Sequence, residues 1–441
     1  MGDQANRGQV GLAVATSVGL GAIIGAGIFT LSGTAIALAG DWALFSFVLV
    51  GLVAVIVALE VGELTSLFPN LSGASYSFVY EAFGSELGFI TGLLLYFSYA
   101  SSIPVVALGF GSYLANLLGL SAGNTDYFAV ALIGALTIVN LGGIRKAARA
   151  DFGLVIVKIM ILLAVIFFSA IYVSEHGSAT NFLSPTAPGS GVTGVISASV
   201  VVFFAYSGFQ AISTFTPSVR GGAKVAARAI LLSVVISMVL YIFIATSMLA
   251  LVPAGRFSIN ADPLAFVLSA VRAPGYLLSL VDIGALVATT SASLALLLSS
   301  SRILRQIGLD GLLPKAIRSY DAKRDVARNG VLVSALIAVP MLYSGNIFVI
   351  AAISNFGLLF SYLMASLALL HFRRLGKKGS FHTPLYPYLP VTAMVAVMAF
   401  MVGMPQQALV FGVVLMLVLL LVYYTLREYE GKEPVRVRFF D

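Results

Sequence analysis

The chain has 441 residues, of which 59% are hydrophobic and only 10% charged, with a net charge of +7 and no cysteine. Soluble domains carry about 25% charged residues, so one large water-soluble core is excluded and a polytopic membrane protein is expected. Disulfides and thiolate metal sites are excluded with it.

The opening MGDQANRGQV lacks a basic n-region and a small-residue cleavage site, so no removable signal peptide is expected. Asn6, where myristoylation requires Ser or Thr, argues against a lipid on Gly2. Beyond it, apolar runs of about twenty residues predict twelve spans, over 12–37, 43–66, 88–117, 127–143, 153–173, 193–215, 229–251, 274–300, 329–344, 347–372, 389–404 and 408–425. Each must be a helix, because hydrocarbon offers no partner to backbone N–H and C=O groups. Asp41, Asn124, Pro185 and Pro253 fall between spans, as turn-forming residues should.

The first span contains GLGAIIGAGIFTLSG, residues 19–33, with five glycines in fifteen positions. Glycine costs about 1 kcal/mol relative to alanine inside a helix, and two readings explain its concentration. Gly21 and Gly25 form a GxxxG pair that lets two helices approach closely. Alternatively the segment is unwound between two half-helices, which is tolerated at membrane depth only beside a cavity. The N–H groups of Gly25, Ala26 and Gly27 would then sit at a positive dipole end and suit a carboxylate. Carbonyls of Ile23, Phe204 and Ser207 would receive an amino group, so one unwound turn would hold the backbone part of an amino acid.

In the second span, Glu60 and Glu63 lie near the predicted inner end and are expected to partner cytoplasmic arginines. The fifth span, DFGLVIVKIMILLAVIFFSAIYV, carries Lys158 six residues in, at a cost of about 2.5–3.5 kcal/mol for a helix centre. It either snorkels to the inner headgroups or faces the first-span break and the hydroxyl run ATTSAS, residues 288–293. Desolvation disfavours a charged amine, so in the second case it could load and release one proton per cycle. The sixth span carries FFAYSGFQ, residues 203–210, a second interruption at Tyr206, Ser207 and Gly208. Phe204, Tyr206 and Phe209 suggest an apolar wall favouring small or apolar neutral amino acids. Asp282, in the eighth span, either lines an entry path or pairs locally. Thr289, Thr290, Ser291 and Ser293 could also bond their own helix carbonyls.

The predicted cytoplasmic segments hold Arg7, Arg145, Lys146, Arg149, the 220–228 cluster and the basic stretches 302–328, 373–378 and beyond 426, whereas the outer loops hold Arg256 and Arg272. This bias places both termini inside. The basic balance therefore reads as lipid-headgroup attraction, not as a nucleic-acid face. Interrupted helices at matching places in two five-helix halves point to inverted repeats. The single transporter domain, 1–441, would divide into a first repeat over 11–173, a second over 193–372 and two further helices over 389–425. His176, His371 and His382 have no ligand spacing, and no clustered catalytic set is visible, so neither metal, cofactor nor enzyme is expected.

Four stretches resemble the amino acid–polyamine–organocation (APC) transporter superfamily. GAIIGAGIF (21–29) resembles its first-helix motif, and GELTSLFPNLSGASYSFVYEAFG (62–84) its E-L-x-x-x-F-P-x-x-G-G-x-Y stretch. FFAYSGFQ resembles the sixth-helix break, and SSRILRQIGLDGLLPK (300–315) the S-R…D-G-x-x-P loop. The resemblance, over about residues 10–425, implies an all-α LeuT-like 5+5 inverted repeat with broken helices 1 and 6, alternating access, and an amino acid or amine substrate. ADFGLVIVKIMIL looks like the fifth helix of proton-coupled members, whose lysine stands where relatives place sodium. Carried over, the Lys158 amine would approach the carbonyls of Gly21 and Ile24 and the hydroxyls of Thr290 and Ser291. The implied activity is sodium-independent import of an amino acid with a proton across the cytoplasmic membrane; the alternative is an exchanger with Lys158 as a fixed charge. Two departures stand out. Ala74 replaces the second glycine of the G-G pair, and AISTFTPSVRGGAKVAARAI after Gln210 lacks the usual acidic residue and N-P-x-x-x-x-P.

Overall fold

The computed structural model describes residues 11–25, 27–71, 73–142, 147–182, 191–321, 324 and 326–429. The N-terminal signal reading, Ala26, the Arg145–Lys146 charges and Pro185 fall outside the described residues. Among the described residues the regular elements are helices, with one isolated bridge between Asp321 and Val326.

The first apolar stretch comprises α1 (Leu12–Ile23), a π-turn (Gly27–Leu31), α2 (Ser32–Ala39) and α3 (Ala43–Leu67). A short α4 (Ser75–Phe83) leads into α5 (Ser85–Leu117), α6 (Thr125–Gly142) and α7 (Ala147–His176). Then come α8 (Gly191–Ala205), a 3-10 segment (Phe209–Ser218), α9 (Gly222–Leu251), α10 (Pro263–Ala270) and α11 (Gly275–Leu309). The chain continues through α12 (Arg328–Met341), α13 (Ile347–Arg374), α14 (Tyr388–Val402) and α15 (Gln406–Tyr429).

Nine stretches of the described residues are long and apolar enough to cross a membrane, the first being the interrupted Leu12–Leu67. The runs expected at 329–344 and 389–404 are the shorter apolar helices α12 and α14. At 1.5 Å per residue, the 14 residues of α12 reach about 21 Å, less than the roughly 30 Å hydrocarbon core. Other helices overrun their apolar runs: α11 continues to Leu309 through Ser299, Ser300 and Ser301. Ser300 and Ser301 satisfy themselves on the carbonyls of Leu297 and Leu298, and Ser300 also reaches Ser334 of α12 at 3.0 Å. Polar side chains that bond their own helix therefore did not end it.

Burial separates centre from rim. The most apolar window of α5 is 89% buried, against 17% for α15. α5 packs on α11 and α13, α3 on α9, α2 on α8, and α1 against α7, α9 and α11. Met160 and Phe167 on α7 and Leu417 and Leu421 on α15 are exposed. Continuous apolar outer faces of this kind suit lipid and not water.

Candidate substrate and coupling site

The two interruptions are real breaks in the helical backbone. Ile24 still donates to Leu20 O at 2.7 Å, but its ψ of 80° leaves the helical region, and Gly25 N–H turns back to Ile23 O at 2.9 Å. In the sixth-span segment, Tyr206 and Ser207 N–H groups close tight turns on Phe203 O and Phe204 O at 3.1 and 3.0 Å. Gly208 then takes φ 104°, a backbone conformation that glycine adopts without a Cβ penalty. Past it, the chain resumes as a 3-10 segment.

These breaks meet. A Cβ placed on Gly27 would collide with Ala205 Cα, and one on Gly208 would lie 2.8 Å from Ala22 O. On Gly25 it would collide with the Ala292 methyl of α11. The glycines thus serve two ends at once, turning the chain and letting backbones touch. Tyr241 of α9 ties both breaks together, its hydroxyl donating to Ile23 O at 2.7 Å and lying 3.2 Å from Ala205 O. One hydroxyl proton cannot serve both acceptors fully, so the Ile23 bond dominates.

Lys158 is fully buried on α7. Its ammonium donates to Gly21 O at 3.3 Å, to Ile24 O at 3.1 Å and to Ser291 Oγ. Bonds to a charged group are worth about 1.5–3 kcal/mol each, so together they exceed the insertion cost of about 2.5–3.5 kcal/mol for a mid-helix lysine. The amine therefore points inward to the first break and does not snorkel. Ser291 passes its own proton to Ala288 O at 3.2 Å, so it accepts from the lysine while bonding its helix. Thr289 bonds Ala285 O at 2.6 Å; Thr290, half-buried, stands between them on α11.

Gly21, Ile23, Ile24, Gly25, Gly27, Lys158, Ser291, Phe204, Tyr206 and Ser207 are thus brought to one buried region, with Ala26 outside the described residues. Three details differ from the simplest picture. Ile23 O already accepts from Gly25 N–H and from Tyr241, which uses both lone pairs, so it can take a ligand's amino group only if one of them lets go. Gly25 N–H is engaged in the same way. The aromatic residues form no single wall: Tyr206 lies by Tyr241, ring centroids 5.1 Å apart, with its hydroxyl beside Gly51 of α3, whereas Phe209 stacks on Tyr362 of α13 at 5.3 Å. Sequence reasoning missed Tyr241; its signal is a tyrosine amid the apolar MVLYIFI run of the seventh span.

At one end of the molecule the carboxylates part company. Glu63 pairs with Arg373 of α13 at 2.5 Å and accepts Thr383 N–H at 2.7 Å. Glu60, expected to partner an arginine, instead meets Ser366 of α13. The family-like stretches also touch. Ser75 donates to Gln210 at 3.0 Å, so the second stretch grips the start of the segment that lacks the usual motif. Tyr76 donates to Asp310 at 2.6 Å, joining the second stretch to the D-G loop. Burial, then the Asp310 bond and charge, hold the Tyr76 phenol above its ordinary range, so it remains a donor. Asp282 on α11 is buried, and its Oδ1 has no partner among the described residues.

Helices throughout the described residues, apolar outer faces, and two broken helices that meet each other, one of them bonded to a buried ammonium, make the architecture of a membrane transporter. The amino acid permease family profile matches residues 14–435, and the chain belongs to that family, a group of the APC superfamily. Among its relatives, the branched-chain amino acid permease BcaP of Bacillus subtilis (strain 168) is 26% identical, with 98% of this chain and 95% of that protein covered. The methylthioribose transporter of the same strain is 28% identical over 93% of this chain and 91% of its own length. The BcaP of Lactococcus lactis subsp. cremoris (strain MG1363) is 28% identical, with 92% of each chain covered. A manganese transporter of Eremococcus coleocola shares the fold, with a TM-score of 0.59 at 16% identity over 95% of this chain and 94% of its own.

Proposed function

We propose that this protein imports an amino acid together with a proton across the cytoplasmic membrane, by alternating access and without sodium. The observation that carries the proposal is the Lys158 ammonium bonded to Gly21 O and Ile24 O at the first break. A titratable cation there occupies carbonyls that would otherwise be free to hold sodium. A neutral amine keeps two of its three N–H donors, so loss of the proton would free one acceptor, the more weakly held Gly21 O first, and loosen the unwound turn. Proton movement and substrate binding would then act on one piece of backbone. The substrate's carboxylate would meet the N–H groups of Ala26 and Gly27, and its amino group the carbonyls of Phe204 and Ser207. Although Tyr206 and Phe209 turn to different neighbours, neither break carries an acidic side chain, which favours a neutral substrate, as do the branched-chain permeases among the relatives.

In this reading Leu12–Leu67 is crossed twice and the shorter α12 and α14 are also passes, which gives twelve. Residues 11–173 and 193–372 form the inverted five-helix repeats, residues 389–425 add two helices, and both termini are cytoplasmic. Replacing Lys158 with Met keeps length and removes charge. In proteoliposomes K158M should lose its dependence on an imposed pH gradient, and wild-type uptake should proceed without sodium. Proton-driven uptake in K158M equal to wild type would overturn the carrier role.

The rival reading is an obligate exchanger with Lys158 permanently charged, and it draws on the same geometry, since three acceptors saturate an ammonium. Counterflow separates them: an exchanger moves label only when unlabelled substrate waits inside.

A further inference from the structure

Glu60 is fully buried on α3, yet no cation lies on it among its described partners. One of its oxygens meets Ser366 Oγ, and the other, Oε1, is buried with no hydrogen-bond partner among the described residues. Three residues along, Glu63 takes the half-buried arginine of this seam, Arg373. The two carboxyl groups of one helix face are therefore treated differently: one ion-paired, the other bare.

The hydrogen count at Ser366 decides the state of Glu60. A serine hydroxyl has one proton to give, and Ser366 Oγ stands against two acceptors, the Glu60 oxygen and Tyr362 O at 3.1 Å. If Glu60 is ionised, one of these contacts lacks a proton, and a buried carboxylate is left without a counter-charge, which is strongly unfavourable. If Glu60 carries a proton, both contacts are satisfied: the carboxyl O–H donates to Ser366, and Ser366 donates to Tyr362 O.

The surroundings supply no alternative buried counter-charge among the described residues: on the segment between α13 and α14, which bonds α3 through Thr383, Lys377, Lys378 and His382 are exposed. α8 and the 3-10 segment, both packed on α3, contain no ionisable side chain apart from Tyr206 in the turn between them, which bears no charge. On α9, Lys224 and Arg228 are exposed and Tyr241 is committed to Ile23 O. On α14, Tyr388 is exposed. On α13, Arg373 is held by Glu63, Arg374 is exposed, His371 packs on Phe83, and Tyr362 meets Ser366 through its carbonyl. The charge nearest Glu60 is that of Glu63, of the same sign.

We propose that Glu60 is a second proton-binding site, which holds a proton while the α3–α13 seam is closed and releases it to water when the seam opens. The step is a simple dissociation: the carboxyl O–H breaks, the proton passes to water, and Ser366 keeps its own hydrogen. The site lies at the end of the molecule marked by the Glu63–Arg373 pair, which the proposed orientation makes cytoplasmic. It rests on the transport reading only for the coupling to opening; the protonation itself does not.

Infrared spectroscopy of the full-length protein in lipid at neutral pH tests the protonation. Wild type should show a protonated-carboxyl C=O band that disappears in E60Q and shifts in S366A, which lacks the acceptor. Initial uptake into proteoliposomes tests the release: at fixed external pH, acidifying the lumen should slow the wild type more steeply than E60Q, whose remaining response is that of Lys158, and both should quicken when the external side is acidified at fixed luminal pH. A wild-type spectrum with no band removed by E60Q, or an E60Q response to luminal pH equal to wild type, would overturn the proposal. If Lys158 proved irrelevant to coupling, the infrared result would stand regardless, so the two failures are distinguishable.

Discussion

Ala74 shows what a single side chain can cost. It sits where the resembling family carries glycine, and the structure gives it φ 51° and ψ −137° at the N-terminus of α4, a conformation that disfavours a Cβ. Strain of this kind costs about 1–3 kcal/mol, whereas glycine loses about 0.5–1 kcal/mol of backbone freedom relative to alanine. Ala74→Gly should therefore stabilise the protein by about 1 kcal/mol, visible as a higher unfolding temperature in detergent; an unchanged or lower one would mean that the strain is relieved elsewhere. The departure at position 74 was legible as a motif mismatch, but its conformation was not, because φ at one residue depends on how the chain after α3 is turned to dock α4 on α5 and α13. Lys158 was more readable. A lysine six residues into an apolar run must either reach water or find acceptors, and the glycine-rich break offered carbonyls at the right depth. Tyr241 was not readable, since a tyrosine in a span packs in most cases as a ring, and only the meeting of α9 with both breaks gives its hydroxyl two carbonyls.

At the scale of elements, the seam between α3 and α13 is pinned by the Glu63–Arg373 pair, with Arg373 also lying over the Tyr386 ring at 5.3 Å. Removing one member of a buried pair costs about 3–5 kcal/mol, mainly through the charge left behind, whereas replacing both is far milder. Arg373→Met should thus lower stability strongly, and adding Glu63→Gln should recover part of the loss, with the introduced amide still accepting Thr383 N–H through its carbonyl oxygen. A thermal-denaturation double-mutant cycle measures this; simple additivity of the two losses would mean that the pair carries no coupling. Helix existence was legible at this scale from apolar run length, while helix ends were not. Ser300 and Ser301 continue α11 by bonding carbonyls of their own helix, and Ser300 also reaches Ser334, a choice that hydropathy cannot register. The short α4 and α10 escaped for a related reason: eight or nine residues leave too brief a pattern to read.

Among its long apolar stretches the molecule places the most buried, α5, at the centre and the most exposed, α15, at the rim, and it packs the two broken stretches on one another, α2 on α8 and α1 on the 3-10 segment. Membership of the amino acid permease family agrees with the order of motifs along the chain, and it was the order, more than any one motif, that made the family legible. A ligand that binds only the folded state stabilises it by about 2.7 kcal/mol at a hundredfold excess over Kd. Leucine, isoleucine or valine should therefore raise the unfolding temperature of the purified protein more than lysine, glutamate or polyamines do. A shift confined to the charged compounds would overturn the expected preference for neutral side chains. The contact of Gly27 with Ala205, too tight for one added methyl, has a mechanical consequence. The two fractured rods engage like teeth of meshed gears without backlash, so neither half can tilt alone. On the proposed transport reading, whatever wedges between them would drive both, and a cargo too small to reach across would leave the machine idling.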